Sequence, residues 1–209
     1  MSTEKLTQEE IDRMMSELTQ APVAASTTIS QMESDIFGEV GNISMSQAAT
    51  TLSEILGHKV HITTPQVFVK SIREVIDAAV KPKIITSIGF KKGLTGNNLL
   101  LMDAQDSVII ANLMMGGDGQ VTSSELTELE LSAVGEAMNQ MMGSSATAMA
   151  TMLGKMIDIL PPEVHLVDDK EHFNVDIGVD NLNADVCLIA FQLEVEGILQ
   201  SEIMQVFTM

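Results

Sequence analysis

Basic residues are scarce: 11 Lys and Arg stand against 29 Asp and Glu in 209 residues, a formal charge of −18. Nucleic acid is held through clustered cations on its phosphates, so it is excluded as a partner. Acidity of this kind keeps a protein soluble and suits a basic patch on a protein partner. Cysteine is nearly missing. Cys187, the single one, lies in "DVCLIAF"; it can form no internal disulfide and is expected as a small buried hydrophobe. No basic-then-apolar stretch opens the chain, and the expected location is the cytoplasm. Long apolar runs are lacking too. The uncharged stretch Ala137–Gly154 carries Asn139, Gln140, Ser144, Ser145, Thr147 and Thr151, which is too polar for a bilayer span, so no membrane insertion is expected. The common catalytic spacings are also absent. His58, His61, His165 and His172 fit no HExxH, and one cysteine makes no CxxC, which argues against a zinc site. There is no P-loop and no GxSxG, and Gly116-Gly117-Asp118-Gly119 reads as a turn.

What is present is an ordinary globular composition, 45% apolar against 19% charged, and a tandem repeat. Shifting residues 35–67 by 97 onto 132–164 gives eleven identities in 33 positions without a gap. "GEVGN" at 38–42 falls on "GEAMN" at 135–139, and the identities run on through Leu56/Leu153, Gly57/Gly154, Pro65/Pro162 and Val67/Val164. Ser30 with Glu33 and Thr127 with Glu130 are capping boxes at the same spacing. Each repeat is therefore predicted to open with a long helix, about 31–56 and 127–153, closed by a glycine C-cap at Gly57 or Gly154. A strand containing the proline is predicted after each helix, with the proline at an edge or a break in the ladder. Repeat one (31–120) continues with strands at "PKIITSIGF" and "NLLLMD" and a helix at "AQDSVIIANLMMGG". Repeat two (124–209) continues with "ADVCLIAFQLEVEG" and "ILQSEIMQVFTM", hinged at Gly197. Two such halves about a pseudo-twofold axis predict an α/β fold, with two long helices packed on one shared, mainly antiparallel sheet. No counterpart of the helix at 104–115 follows Met209, so a further domain is expected to continue the chain.

Ahead of the repeats, residues 1–18 read as a short helix with a Thr7–Glu10 capping box and an apolar stripe of Ile11, Met14, Met15 and Leu18. Residues 19–30, small, polar and broken by Pro22, read as a linker. So short a helix needs a surface to cover, either on its own domain or on a partner. Six of the 16 methionines lie in 138–156, as core filler or as an adaptable surface.

Asp35, Glu39 and Asn42, at i, i+4 and i+7, line one stripe of the first helix, and Ser132, Glu136 and Asn139 do the same on the second. Ile36, Val40 and Ile43 form an adjoining apolar stripe. Between the repeats Val40-Gly41 becomes Ala137-Met138, but the Glu and the Asn are kept. An amide can neither attack nor carry a phosphoryl group. A carboxylate can pair with a partner's lysine, and an amide, donor and acceptor at once, can hold a water in line with a phosphorus atom. Phosphoryl hydrolysis needs little more when the substrate brings its own metal, because positioning and electrostatics supply most of the rate.

The spacing Asp or Ser, x3, Glu, x2, Asn, x22, Pro occurs twice, as Asp35, Glu39, Asn42, Pro65 and as Ser132, Glu136, Asn139, Pro162. It resembles the signature of the CheC-type phosphatases of bacterial chemotaxis, over about 30–209. The resemblance implies dephosphorylation of the phosphoaspartate of the response regulator CheY. Asn42 and Asn139 would orient the attacking water, and Glu39 and Glu136 would hold the regulator's lysine. Asp35, Ser132, Pro65 and Pro162 would place the helix and shape the following turn. It implies no cofactor of the chain's own, with Mg²⁺ carried by the CheY substrate. "EKLTQEEIDRMM" is similar to the opening of flagellar motor-switch proteins, which binds phosphorylated CheY. This implies that 1–18 is a CheY-binding peptide contacting its partner through Leu6, Ile11, Met14, Met15 and Leu18. It also implies a place at the flagellar basal body, beside FliM- and FliG-like switch proteins reached through a C-terminal FliN-like domain. A non-catalytic CheY-binding adaptor, gripping with the same Glu–Asn faces, is the main alternative. Regulation of a receptor deamidase is a weaker one.

Overall fold

The computed structural model describes residues 31–79, 81–94, 96–121, 126–167 and 183–208. Helix α1 runs Gln31–Leu56, followed by β1 (Val60–Ile62), β2 (Gln66–Ser71), α2 (Ile72–Ala78), β3 (Lys83–Lys92), β4 (Asn97–Asp103) and α3 (Ala104–Met114). The second repeat supplies α4 (Glu128–Leu153), β5 (Asp158–Ile159), β6 (Glu163–Val167), β7 (Asp185–Val195) and β8 (Leu199–Thr208). The local signals act as expected. The Thr127 hydroxyl accepts from the Glu130 backbone N–H, and the Glu130 carboxylate accepts from the Thr127 N–H, closing the box that starts α4. These bonds, the backbone one foremost, hold the Glu130 carboxyl below the usual carboxylate range. Gly57 (φ 65°) and Gly154 (φ 61°) end the long helices in the left-handed region, where a Cβ would be strained. The boxes at Ser30 and Thr7, the N-terminal helix and the linker lie outside the described residues.

The prolines come out as ladder breaks at the sheet edges, as expected, and each single strand is thereby split in two. Thr63–Pro65 and Leu160–Pro162 each interrupt the segment, leaving a pair of short strands, β1 and β2 or β5 and β6. Proline offers no N–H to a ladder, so the ladder breaks there, at the sheet's two outer edges.

One eight-stranded antiparallel sheet holds both repeats. From β7 it runs through β8, β4 and β3; β1 and β2 pair with the outer edge of β7, and β5 and β6 with that of β3. The repeats therefore exchange strands. Both strands that follow α1 pair with repeat two, and both that follow α4 pair with repeat one. A single row crosses the whole sheet: Val67, Ile189, Gln205, Leu100, Thr86, Val164. The pseudo-twofold axis passes through its middle pair, Leu100–Gln205.

Helices α1 and α4 pack side by side on one face of the sheet, with α3 beside α4. The core between them joins Met45, Leu52, Met138, Met141 and Met142 to Ile84, Ile88, Leu100, Cys187, Ile189 and Phe191. Burial lifts the Cys187 thiol to about 11, so at neutral pH it is a small apolar group. Four of the six methionines of 138–156 are core; Met152 and Met156 are exposed. On the opposite face α2 sets Ile72, Val75 and Ile76 against Ile85, Leu99, Leu101, Val186 and Leu188.

Where β3 meets β4, Lys83 pairs with Asp103, and Lys81 approaches the same carboxylate at 3.3 Å. Burial alone would raise the Asp103 carboxyl, but hydrogen bonds and charge from Lys83 and Lys81 outweigh it and hold it low. A carboxyl lowered by folding contributes stability above its unfolded value, near 4, and loses that contribution as pH falls through the lower folded one. Lys83→Met is therefore expected to cost about 1–2 kcal/mol at pH 7, or roughly 2–8 °C in Tm. The gap from wild type should close below about pH 4, and melting curves at pH 7 and pH 3 check both statements.

Candidate functional site

The two conserved-spacing motifs occupy equivalent places, one at each end of the row across the sheet. Gly38 of α1 lies over β2, where an added Cβ would stand 3.5 Å from Val67 Cγ2; Gly135 of α4 lies over β6, 3.5 Å from Val164 Cγ2. That is ordinary contact distance for a methyl group, so each helix packs closely on its edge strand and an alanine would fit at either glycine. The two residues that differ between the motifs answer the sheet beneath them. At Gly41 a Cβ would come within 3.3 Å of both Ile189 and Phe191. The twofold-related positions on β3 are the smaller Thr86 and Ile88, and Met138, only 1% exposed, fills the difference. Val40-Gly41 and Ala137-Met138 are thus alternative packings under one outward-facing acid–amide pair.

In the first repeat the motif builds a cleft. Ser34, Asp35, Gly38, Glu39 and Asn42 from α1 form one wall, and Thr64, Pro65 and Val67 form the other, around about 350 Å³. Asp35, Glu39, Asn42 and Pro65, singled out by spacing alone, meet here. Asp35 and Asn42 are seven residues apart, so the stripe runs about 10 Å along the helix. Asn42 is half-buried at the inner end, whereas Glu39 and Asp35 are exposed. Pro65, at the break between β1 and β2, turns the wall toward the helix. Ile36 (53% exposed) and Ile43 (37% exposed) flank the cleft on the solvent side of α1. The apolar stripe read from the sequence is there, but it faces outward.

In the second repeat Ser132, Glu136 and Asn139 are exposed on α4, and Pro162 is half-buried between β5 and β6. Here the acid is engaged: Gln140 Nε2 donates to Glu136 Oε1 at 2.6 Å. Its counterpart in repeat one is Ile43, which has no donor to offer. Sequence reasoning missed Gln140 as it missed Ser34, Thr64 and Val67. The available signal was a Gln four residues after the acid in one copy only. Leu6, Ile11, Met14, Met15 and Leu18 lie outside the described residues. Gly116–Gly119 is a turn, with Gly116 and Gly119 at positive φ and the Asn112 side chain accepting from the Gly119 N–H. Among the described residues no cluster of three or more His, Cys, Asp or Glu is placed to hold a metal, and no helix is long and apolar enough to cross a membrane.

A family profile described as CheC-like matches residues 32–69 and 129–166, the two motif segments. The flagellar motor switch phosphatase FliY of Bacillus subtilis is 42% identical over 99% of this chain, which covers 55% of that protein. The CheY-P phosphatase CheX of Thermotoga maritima is 35% identical over 39% of this chain and 50% of its own length. The chain thus spans about half the length of the curated relatives it matches. The crystal structure of Thermotoga maritima FliY superimposes with a TM-score of 0.80 at 42% identity, covering 87% of this chain and 92% of that one. A chain of the crystal structure of a FliG–FliM complex from H. pylori shares the fold, with a TM-score of 0.71 at 12% identity over 86% of this chain and 94% of that one.

Proposed function

Because the chain belongs to the CheC-like family, we propose that it dephosphorylates the phosphoaspartate of CheY at the flagellar motor switch, using both motif faces. The observation that carries this reading is the cleft in which Asp35, Glu39, Asn42 and Pro65 converge. The regulator brings the phosphoryl group and its Mg²⁺ as substrate. Asn42, half-buried at the inner end, has an amide that can accept from one proton of a water and donate to the aspartyl phosphate. That holds the water in line, the positioning on which phosphoryl transfer mostly depends. Glu39, three residues before it and exposed, is placed to pair with a lysine of the regulator and fix its approach. Glu136 and Asn139 repeat the arrangement on α4. Asp35 and Ser132 set the outer end of each stripe, and Pro65 and Pro162 set the facing wall.

The net charge of −18 favours a lysine-bearing face on the partner. A location in the cytoplasm at the motor, beside FliM- and FliG-like switch proteins, belongs to the same proposal. The test is turnover. Substoichiometric chain should release many phosphates per molecule from phosphorylated CheY; if CheY binds but its phosphate lifetime is unchanged, the non-catalytic adaptor reading replaces this one.

The N-terminal segment enters as a tether. Twelve linker residues give a root-mean-square span of roughly 20 Å, so docking of residues 1–18 on CheY would hold the phosphoaspartate near a site at about millimolar effective concentration. Deleting 1–18 is expected to raise the apparent KM for phosphorylated CheY about tenfold or more with kcat little changed. A KM unaltered by the deletion would remove the tether.

A further inference from the structure

We infer that Gln140 is a positioning residue of the second site, and that it makes the two sites bind the regulator by different means. The inference rests on the proposed reaction and deepens it. Its observation is the 2.6 Å bond from Gln140 Nε2 to Glu136 Oε1, together with the lack of any equivalent donor at Ile43.

The two sites order their acid–amide pair against different surroundings. In repeat one the stripe lies in a cleft walled by Thr64, Pro65 and Val67, and Asn42 is half-buried. In repeat two Asn139 and Glu136 are exposed. An exposed glutamate samples many rotamers, and each must be abandoned when a lysine is bound. Gln140, one turn on from Glu136, draws the carboxylate along the helix toward the turn that carries Asn139. The bond occupies Oε1 and leaves Oε2 for the partner's cation. Because the donor is a neutral amide, the carboxylate keeps its full negative charge. A lysine at 140 would order the same side chain but neutralise it. At site one Ile43 instead adds apolar surface beside Glu39, with Ile36 one turn nearer the helix start. Site two thus reads the regulator through a preset acid, and site one through a shaped cleft with an apolar rim.

Each site is isolated by removing the other's amide. In an Asn42→Ala background, where only site two can act, Gln140→Ile should raise KM for phosphorylated CheY about two- to threefold and leave kcat unchanged. Gln140→Lys should raise it about fivefold, because the introduced ammonium competes for Glu136. The reciprocal change, Ile43→Gln in an Asn139→Ala background, should lower KM about twofold, an effect that a merely structural glutamine would not transplant. If Gln140→Ile lowers KM, the glutamine competes with the partner; if it leaves KM unchanged, it is a bystander. Either result overturns the inference. Binding of beryllofluoride-charged CheY to the Gln140 variants in a Glu39→Ala background, where site one has lost its grip on the regulator, gives an independent reading. If wild type releases no phosphate, the proposed function fails alone, and the order of the dissociation constants still decides the role of Gln140.

Discussion

Replacing Asn42 and Asn139 together by alanine is expected to lower kcat for phosphate release from phosphorylated CheY by about 100-fold or more, with affinity for CheY held within about threefold. The asymmetry follows from when the amide acts. A water held in line is worth most in the transition state, so its loss appears in kcat, whereas a contact equally good before reaction appears in KM. Glu39 and Glu136 should show the opposite pattern, because a lysine paired with a carboxylate is already bound in the ground state. The substitution itself is benign for the fold. Asn42 is half-buried and Asn139 exposed, and alanine is the better helix former at both positions. A loss of turnover therefore cannot be put down to unfolding, and melting curves of the double variant should match or exceed wild type.

Neither repeat is expected to fold without the other. Residues 31–121 alone contain β1 and β2, whose only ladder partner among the described residues is β7, and residues 126–209 alone contain β5 and β6, whose only such partner is β3. Each half keeps one hairpin, β3–β4 or β7–β8. A two-stranded hairpin is marginal in water, and so is a long helix with its apolar face uncovered. The separate halves should show no cooperative urea transition, and mixing them should restore one. A sharp transition in residues 31–121 alone would contradict the exchanged topology. This interlock also fixes the two sites relative to each other. Val67 and Val164, one beneath each motif glycine, end the same row of the sheet, so neither edge can shift without disturbing the ladder between them.

Much of this was legible before the fold was known, because the signals were local. A threonine and a glutamate three residues apart set the start of α4, and Gly57 and Gly154 set the two helix ends. The acid–amide stripe was legible because helical spacing puts i, i+4 and i+7 on one side. Both prolines came out as breaks in an edge ladder, for the reason their chemistry suggests, and Pro65 forms part of the cleft wall. Strand exchange was not legible, since pairing between segments far apart in the chain leaves no mark on either segment alone. Helix α2 was overlooked although Ser71 and Glu74 form a capping box like that of Thr127 and Glu130; seven residues are too few to show a periodicity. The outward turn of Ile36 and Ile43 was also hidden, because an apolar stripe on a helix is buried only where something covers it, and the sheet lies on the other side of α1.

The most direct measurement is the single-turnover rate of dephosphorylation of CheY at saturating chain, compared among wild type, Asn42→Ala, Asn139→Ala and the double variant. Two amide-directed sites predict that each single variant keeps a measurable part of the wild-type rate, that the two parts sum to about the whole, and that the double variant falls to the unassisted decay of phosphorylated CheY. A double variant as fast as wild type would contradict the catalytic role of both asparagines, and a single variant already at the unassisted rate would leave the chain with one working site.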